Sequence, residues 1–222
     1  MTDEEAKAWL EKQQGVSRET MEKLAGFVAF LRREAESQNL ISASTLDQIW
    51  SRHIVDSAQL LNFLDQQVSN IRWLDLGTGA GFPGLIIAIM TNFQFTLVES
   101  RARRVDYLQR AVEMLDLTDR VHVAGVELER LETAPYSIIS ARAFAPLPKL
   151  FDLAARFATN KTLWLLPKGR NAELEWEDTR KIWDGNFRVM QSVTDQQAGI
   201  LVGTLSEKRI NSARSGQQGQ KP

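Results

Sequence analysis

Residues 73–84 read Trp-Leu-Asp-Leu-Gly-Thr-Gly-Ala-Gly-Phe-Pro-Gly, and the apolar stretch Leu85–Met90 follows. An apolar run meets four glycines and then an apolar segment of helical character. Glycines at such a point let the chain turn tightly and bring its backbone close to a ligand. The helix that follows is expected to aim its N-terminal amides at that ligand. A strand that turns on glycines into a helix is the opening unit of a doubly wound α/β sheet.

Two cofactor classes compete for this turn. Gly79, Gly81 and Gly84 satisfy G-x-G-x-x-G, the dinucleotide fingerprint. Gly77, Gly79 and Gly81, with Asp75 ahead of them, satisfy the tighter acidic-x-G-x-G-x-G form, which resembles motif I of class I S-adenosyl-L-methionine (AdoMet) methyltransferases. Either class places an acidic residue at the end of the second strand to hold ribose hydroxyls. Glu99 stands there, 20 residues after Gly79, and so does not discriminate. Asp75 favours AdoMet. A carboxylate beside a pyrophosphate is repelled, whereas AdoMet offers a cationic sulfonium and ammonium. NAD remains the alternative.

Outward from the turn, short apolar runs alternate with longer stretches. The runs cover 71–76, 95–98, 121–124, 138–140, 163–166, 187–190 and 200–205, and the helical stretches 83–91, 101–115, 147–158 and 172–183. This alternation predicts a mostly parallel sheet with helices on both faces. The last two runs, with Gly199 between them, predict a C-terminal antiparallel hairpin. The first 65 residues are predicted to be helical. Ser17 caps a stripe of Met21, Leu24, Val28, Leu31 and Ala35. Thr45-Leu-Asp-Gln48 reads as a capping box for a helix lined by Leu46, Trp50, Ile54, Ala58, Leu61 and Leu64. The expected organisation is a helical N-terminal extension over 1–69, a Rossmann-like domain over 70–208, and a disordered polar tail over 209–222.

The chain has 222 residues with 27 Lys+Arg, 28 Asp+Glu and no Cys. The missing cysteines exclude a disulfide scaffold, thiolate zinc sites and a Cys nucleophile. The near-neutral charge argues against a generic, strongly basic nucleic-acid binder. Charge is nevertheless divided: residues 1–70 carry 7 basic and 11 acidic side chains, residues 71–222 carry 20 and 17. No basic n-region with an apolar run opens the chain, and no apolar stretch is long enough to span a bilayer. A cytoplasmic protein with no membrane contact is expected.

Asn39-Leu40, the stretch Arg52-His-Ile-Val-Asp-Ser57, the glycine turn through Phe82-Pro-Gly84, Leu97-Val-Glu-Ser100, Val126-Glu127, Arg142-Ala-Phe-Ala145 and Lys168-Gly169 together resemble the small-subunit ribosomal RNA methyltransferase G (RsmG, GidB) family, from about Asn39 to Leu205. The resemblance implies AdoMet-dependent methylation of guanine N7 in 16S rRNA of the 30S subunit; a monomer is expected, and with no Cys, two His and no metal-ligand cluster no metal is expected. By matching positions it implies that Gly77 and Phe82 contact AdoMet, that Val126 and Glu127 flank its adenine, and that Arg142 closes the site. The chain departs from the family pattern at Asn-Leu-Ile-Ser42, and Ala141 stands as an extra residue before Arg142.

Guanine N7 carries an in-plane lone pair and no proton, so methyl transfer to it needs no general base. Catalysis is then positioning and electrostatics. In A-form RNA the N7 edge lies in a groove too deep and narrow for side chains, so the target must sit in an irregular loop or leave its stack. Candidate RNA contacts are Arg101, Arg103, Arg104, Arg110, Lys161, Lys168 and Arg170. Each competes with the plain reading of a solvated charge. Arg142 is the candidate catalytic residue, against the reading of a structural ion pair. His53, Asp56 and Ser57 share one helix face. They do not form a hydrolase triad, whose members come from separate elements. They read as a polar network tying the helical part to the sheet, or as the border of the active-site mouth. His122 reads as structural, and Trp50, Trp73 and Trp164 as core. A methyltransferase acting on a small molecule or another RNA, an NAD-dependent oxidoreductase and a non-catalytic ribosome binder are the rival readings.

Overall fold

The computed structural model describes residues 1–65 and 70–209. Beyond Arg209, the tail expected to be disordered lies outside the described residues. Seven strands form one sheet: β1 (Arg72–Leu76), β2 (Gln94–Val98), β3 (Val121–Ala124), β4 (Ile138–Ala141), β5 (Leu163–Pro167), β6 (Trp183–Gln191) and β7 (Gly199–Lys208), in the order β3-β2-β1-β4-β5-β7-β6. The first five run parallel, while β7 is antiparallel to β5 and to β6. The order reverses beside β1, so the loops after β1 and β4 diverge and leave a crevice at the carboxyl edge.

Side chains alternate across the sheet and feed two apolar layers. Trp73, Phe95, Leu97, Ile138 and Leu165 face one layer. There they meet α1 (Asp3–Gln13), α2 (Arg18–Ala35), α3 (Asp56–Ala58), α4 (Gly84–Met90) and α5 (Ala102–Met114). Leu74, Val98, Ile139 and Trp164 face the other, against α6 (Leu147–Ala154) and α7 (Ala172–Thr179).

The stripe on α2 is wider than the five positions read from sequence. Leu24, Phe27, Val28, Phe30 and Leu31 are buried, because this helix lies against both α4 and α5. Arg110 of α5 clasps Glu34 of α2 through two bonds of 2.6 and 2.8 Å, so Arg110 is a structural clamp rather than a free RNA contact. The capping box expected at Thr45 does not form. Residues Ala43–Gln48 make a 3₁₀ turn, and Trp50–Val55 is wound as a π-helix. The helix expected over 172–183 stops at Thr179, whose hydroxyl donates back to the Glu175 carbonyl at 2.7 Å, and Trp183 already belongs to β6. Trp50, Trp73, Trp164, Trp176 and Trp183 are all buried. His122 lies on β3 but is exposed, so it has no place in the core. No helix among the described residues is long and apolar enough to cross a membrane.

Candidate active site

Strand parity sets the base of the site. Asp75 shares the face of Trp73 and is fully buried. Its Oδ1 accepts from Ser140 Oγ at 2.6 Å, and its Oδ2 accepts from Gly84 N at 3.0 Å. Ser140 stands opposite it in register on β4 and accepts in turn from Trp73 Nε1 at 2.7 Å. Burial pushes the Asp75 carboxyl up to about 6. The expectation that Asp75 offers a free carboxylate to a cationic cofactor is therefore corrected. It shapes the turn from beneath, and it takes the α4 amide that was expected to face the ligand. A Cβ on Gly84 would fall 2.8 Å from Asp75 Oδ2 and 2.5 Å from Leu97 Cδ2, so a larger residue cannot make this approach.

Above this base lies the glycine turn, in which Gly79 is the open position. Gly77, Gly79 and Gly81 all adopt positive φ, at 63°, 59° and 96°. The ring of Phe144, from the loop after β4, leans on Gly77, and a Cβ there would lie 2.6 Å from Phe144 Cδ2. Glu99, at the tip of β2, is nearly buried. Its Oε1 accepts from Ser100 N and Arg101 N, both at 2.9 Å, and its Oε2 lies 3.7 Å from Arg104 Nη1. That second oxygen retains acceptor capacity suited to ribose hydroxyls. Arg104 also donates to the Asn39 carbonyl at 3.2 Å and so spans from the helical part to the glycine turn. Val126 is half-buried in the loop after β3. Glu127 is exposed and lies 3.8 Å from Arg130.

Arg142 is the first residue after β4, whose last residue, Ala141, pairs with Leu76. Its Nη1 donates to Asp56 Oδ2 at 3.2 Å, its Nη2 to His53 Nδ1 at 3.1 Å, and the guanidinium lies 5.1 Å from the Phe82 ring centre. His53 stacks on the same ring at 4.7 Å. Arginine only donates, so His53 Nδ1 is the bare nitrogen, and Nε2–H donates to Thr45 Oγ1 at 3.0 Å. Burial, then the charges of Arg142 and Arg52, push His53 down to about 3, so it is neutral. Asp56 Oδ1 accepts from Gln59 Nε2 at 2.9 Å and from Thr194 Oγ1 at 3.0 Å, which ties in the β6–β7 turn. Ser57 stays outside, donating to the His53 carbonyl at 2.6 Å. The network thus ties the helical part to β4 and to the β6–β7 turn.

This network walls a cleft of about 720 Å³ at the carboxyl edge of β4 and β5. Lys168 lies on its far side, 3.1 Å from Glu175 Oε2, and Glu175 Oε1 also accepts from Leu147 N at 3.1 Å. Arg170 is exposed and lines a neighbouring depression instead. Lys161 lies at the opposite end of the strands, away from the cleft. Arg101, just before α5, and Arg103 on α5 are exposed. Sequence reading missed Ser140, Phe144, Glu175 and Thr194. For Asp75 and Ser140 the signal was present, since parity with Trp73 turns Asp75 toward α4. Among the described residues no cluster of three or more His, Asp or Glu is placed to hold a metal.

The family model described as rRNA small subunit methyltransferase G matches residues 20–200. The chain belongs to this family. The methyltransferase G protein of Zymomonas mobilis is 52% identical over 210 residues, covering 92% of this chain and 94% of that protein. The one from Rhizorhabdus wittichii is 50% identical, covering 94% and 95%. Among solved structures, a SAM-dependent methyltransferase from Aquifex aeolicus aligns with TM-score 0.55 at 15% identity, covering 80% of this chain and 97% of that one. That likeness extends the methyltransferase G fold to a wider class of methyltransferases. Within this family member, Asn39, His53, Asp56, the glycine turn, Glu99, Arg142 and Lys168 all fall inside the matched span.

Proposed function

We propose that this protein transfers a methyl group from AdoMet to N7 of a guanine in 16S rRNA of the small ribosomal subunit. Membership of the methyltransferase G family carries the reading. Bound AdoMet would supply an electrophilic methyl on a cationic sulfur: the N7–CH3 bond would form as the S–CH3 bond breaks, leaving neutral S-adenosylhomocysteine and a positive charge on the base. Gly77, Gly79 and Gly81 would form the turn that holds the cofactor, with Gly79 the open one among them, since Phe144 covers Gly77 and Leu85 packs on Gly81; Glu99 Oε2 would accept from its ribose hydroxyls. Val126 and Glu127 would flank the adenine, Phe82 would pack beneath, and Arg142 would close the site between cofactor and base.

The chain's own groups bind and orient, and none has to move a proton. The His53 nitrogen that lacks a proton is committed to Arg142, and both Asp56 oxygens are engaged. That arrangement agrees with an acceptor whose attacking nitrogen is already bare. Lys168 and Arg170 lie on the side from which RNA enters, with His53 and Asp56 at the border of the mouth. We place the protein in the cytoplasm, acting as a monomer on 16S rRNA of the 30S subunit without a metal.

The test offers tritium-methyl AdoMet with 30S subunits, naked 16S rRNA, tRNA and a pool of small metabolites. Label in 16S rRNA is expected, with calorimetric AdoMet binding and no NAD binding. Label confined to tRNA or to small molecules would overturn the substrate.

A further inference from the structure

Arg104 of α5 reaches the glycine turn with a side chain that is only 25% exposed. Its Nη2 donates to the Asn39 carbonyl at 3.2 Å. Its Nη1 lies 3.7 Å from Glu99 Oε2, an ion pair too long for a hydrogen bond. A guanidinium has five N–H bonds, so among the described residues both Nη1 hydrogens are uncommitted. The same Nη1 borders Gly79, where a Cβ would meet only Arg104 Nη1 and the Gly77 carbonyl, each at 3.8 Å. The turn adds two more donors. The Thr78 carbonyl accepts from Gly81 N and Phe82 N, both at 2.9 Å, whereas the amides of Gly79 and Ala80 meet no acceptor among the described residues. Ala80 is nevertheless buried, and a buried amide needs a partner. Tyr107 of α5 donates its hydroxyl to the Ala80 carbonyl at 3.3 Å and holds the turn against the helix. An open slot is thus bordered by one guanidinium and two unpaired amides.

We propose that Arg104 binds the α-carboxylate of the methionyl tail of AdoMet. The inference deepens the reading above and rests on it. AdoMet has a single anionic group, this carboxylate, and a slot that offers only N–H donors beside a positive charge selects it. The Gly77 carbonyl at the same slot is an acceptor of the kind the neighbouring ammonium needs. Glu99 and Arg104 then divide the cofactor between them: the carboxylate side chain takes the ribose hydroxyls, and the guanidinium takes the acid of the tail. Their 3.7 Å separation suits that division. With a hydrogen bond of about 2.8 Å at each end, ligand groups up to roughly 9 Å apart can use both. Partial burial strengthens the contact, since the charges are shielded less than in water. Through the Asn39 carbonyl the same guanidinium joins the helical part to the cofactor tail. Arg104 thereby leaves the set of candidate RNA contacts.

The experiment titrates AdoMet, decarboxylated AdoMet and methylthioadenosine by calorimetry into full-length wild type, Arg104→Gln and Arg104→Met. Decarboxylated AdoMet lacks only the carboxylate, and methylthioadenosine lacks the whole amino-acid tail. Wild type is expected to bind AdoMet about 10- to 100-fold more tightly than decarboxylated AdoMet, as for loss of charged hydrogen bonds. In each variant that ratio is expected to fall about tenfold, while methylthioadenosine binds as it does to wild type. The ratio is internal to each protein, so a smaller folded fraction cancels, and the second variant serves if the first does not fold. A wild-type ratio near one, or a variant ratio equal to that of wild type, would overturn the assignment. Equal losses for all three ligands would overturn it too, since Arg104 would then act through Glu99 on the ribose. Absence of AdoMet binding to wild type would instead overturn the proposed function.

Discussion

Replacing His53 by Gln probes the network that holds Arg142, and its effect on stability has a definite sign with pH. In the folded protein, burial and two nearby arginines hold the imidazole at about 3, against 6.5 for an unperturbed histidine. The unfolded chain therefore binds a proton below 6.5 that the folded protein refuses. Stability contributed by neutral His53 is complete above 6.5 and is lost as pH falls toward 3. At about 1.36 kcal/mol per pH unit, lowering pH from 7.5 to 5 costs wild type roughly 2 kcal/mol through this group alone. His53→Gln has no such titration. Other groups, Asp75 included, titrate in both proteins and cancel in the difference. Urea unfolding followed by tryptophan fluorescence at pH 7.5 and pH 5 measures that difference. The advantage of wild type over His53→Gln is expected to shrink by about 2 kcal/mol at the lower pH. An advantage that is the same at both pH values would refute a buried neutral His53 bonded to Arg142. A neutral His53 also implies no inflection from this residue in the methylation rate between pH 6 and 8.

Asp75 titrates in the opposite sense. Its carboxyl is raised from 3.8 to about 6, so its contribution is complete below 3.8 and is lost as pH rises through 6. This loss amounts to about 3 kcal/mol, and Asp75→Asn is expected to flatten that slope in the same unfolding assay. Gly77→Ala puts a methyl 2.6 Å from Phe144 Cδ2 at φ 63°. Calorimetry is expected to show AdoMet affinity down by more than tenfold, with Phe144→Ala restoring part of the loss in the double variant. Arg142→Lys keeps the charge but cannot serve His53, Asp56 and the Arg52 carbonyl together, as the guanidinium does. Methylation is expected to drop 10- to 100-fold, and unchanged activity would remove Arg142 from the site.

Local features were the legible ones. The glycine turn, Glu99 at the second strand tip and the strand–helix alternation each depend on residues close in sequence, and the sheet formed as read, C-terminal hairpin included. Long-range partners were not legible. Arg142 meets His53 and Asp56 across almost ninety positions, and Asp56 meets Thr194 across 138. No periodicity encodes such pairings. Thr45 looked like a helix cap because Ser/Thr-x-x-Gln is a local pattern. Its hydroxyl instead bonds the Ser42 carbonyl and His53, since the chain there turns toward the cleft. Asp75 was misdirected for a different reason. Its position at the strand end suggested exposure to ligand, but alternation turns it inward under α4. The near-neutral total charge disfavours a strongly basic, generic RNA binder. In the structure Arg110 and Lys168 are ion-paired, while Arg101, Arg103 and Arg170 are exposed.

The most direct measurement maps the product. 16S rRNA labelled by the enzyme from tritium-methyl AdoMet is treated with borohydride and aniline, which cleave RNA at N7-methylguanosine, and the fragments are sequenced. Cleavage at a single guanosine that carries all the label is the expected result. Labelled 16S rRNA that resists cleavage, or label at a base other than guanine, would contradict methyl transfer to guanine N7.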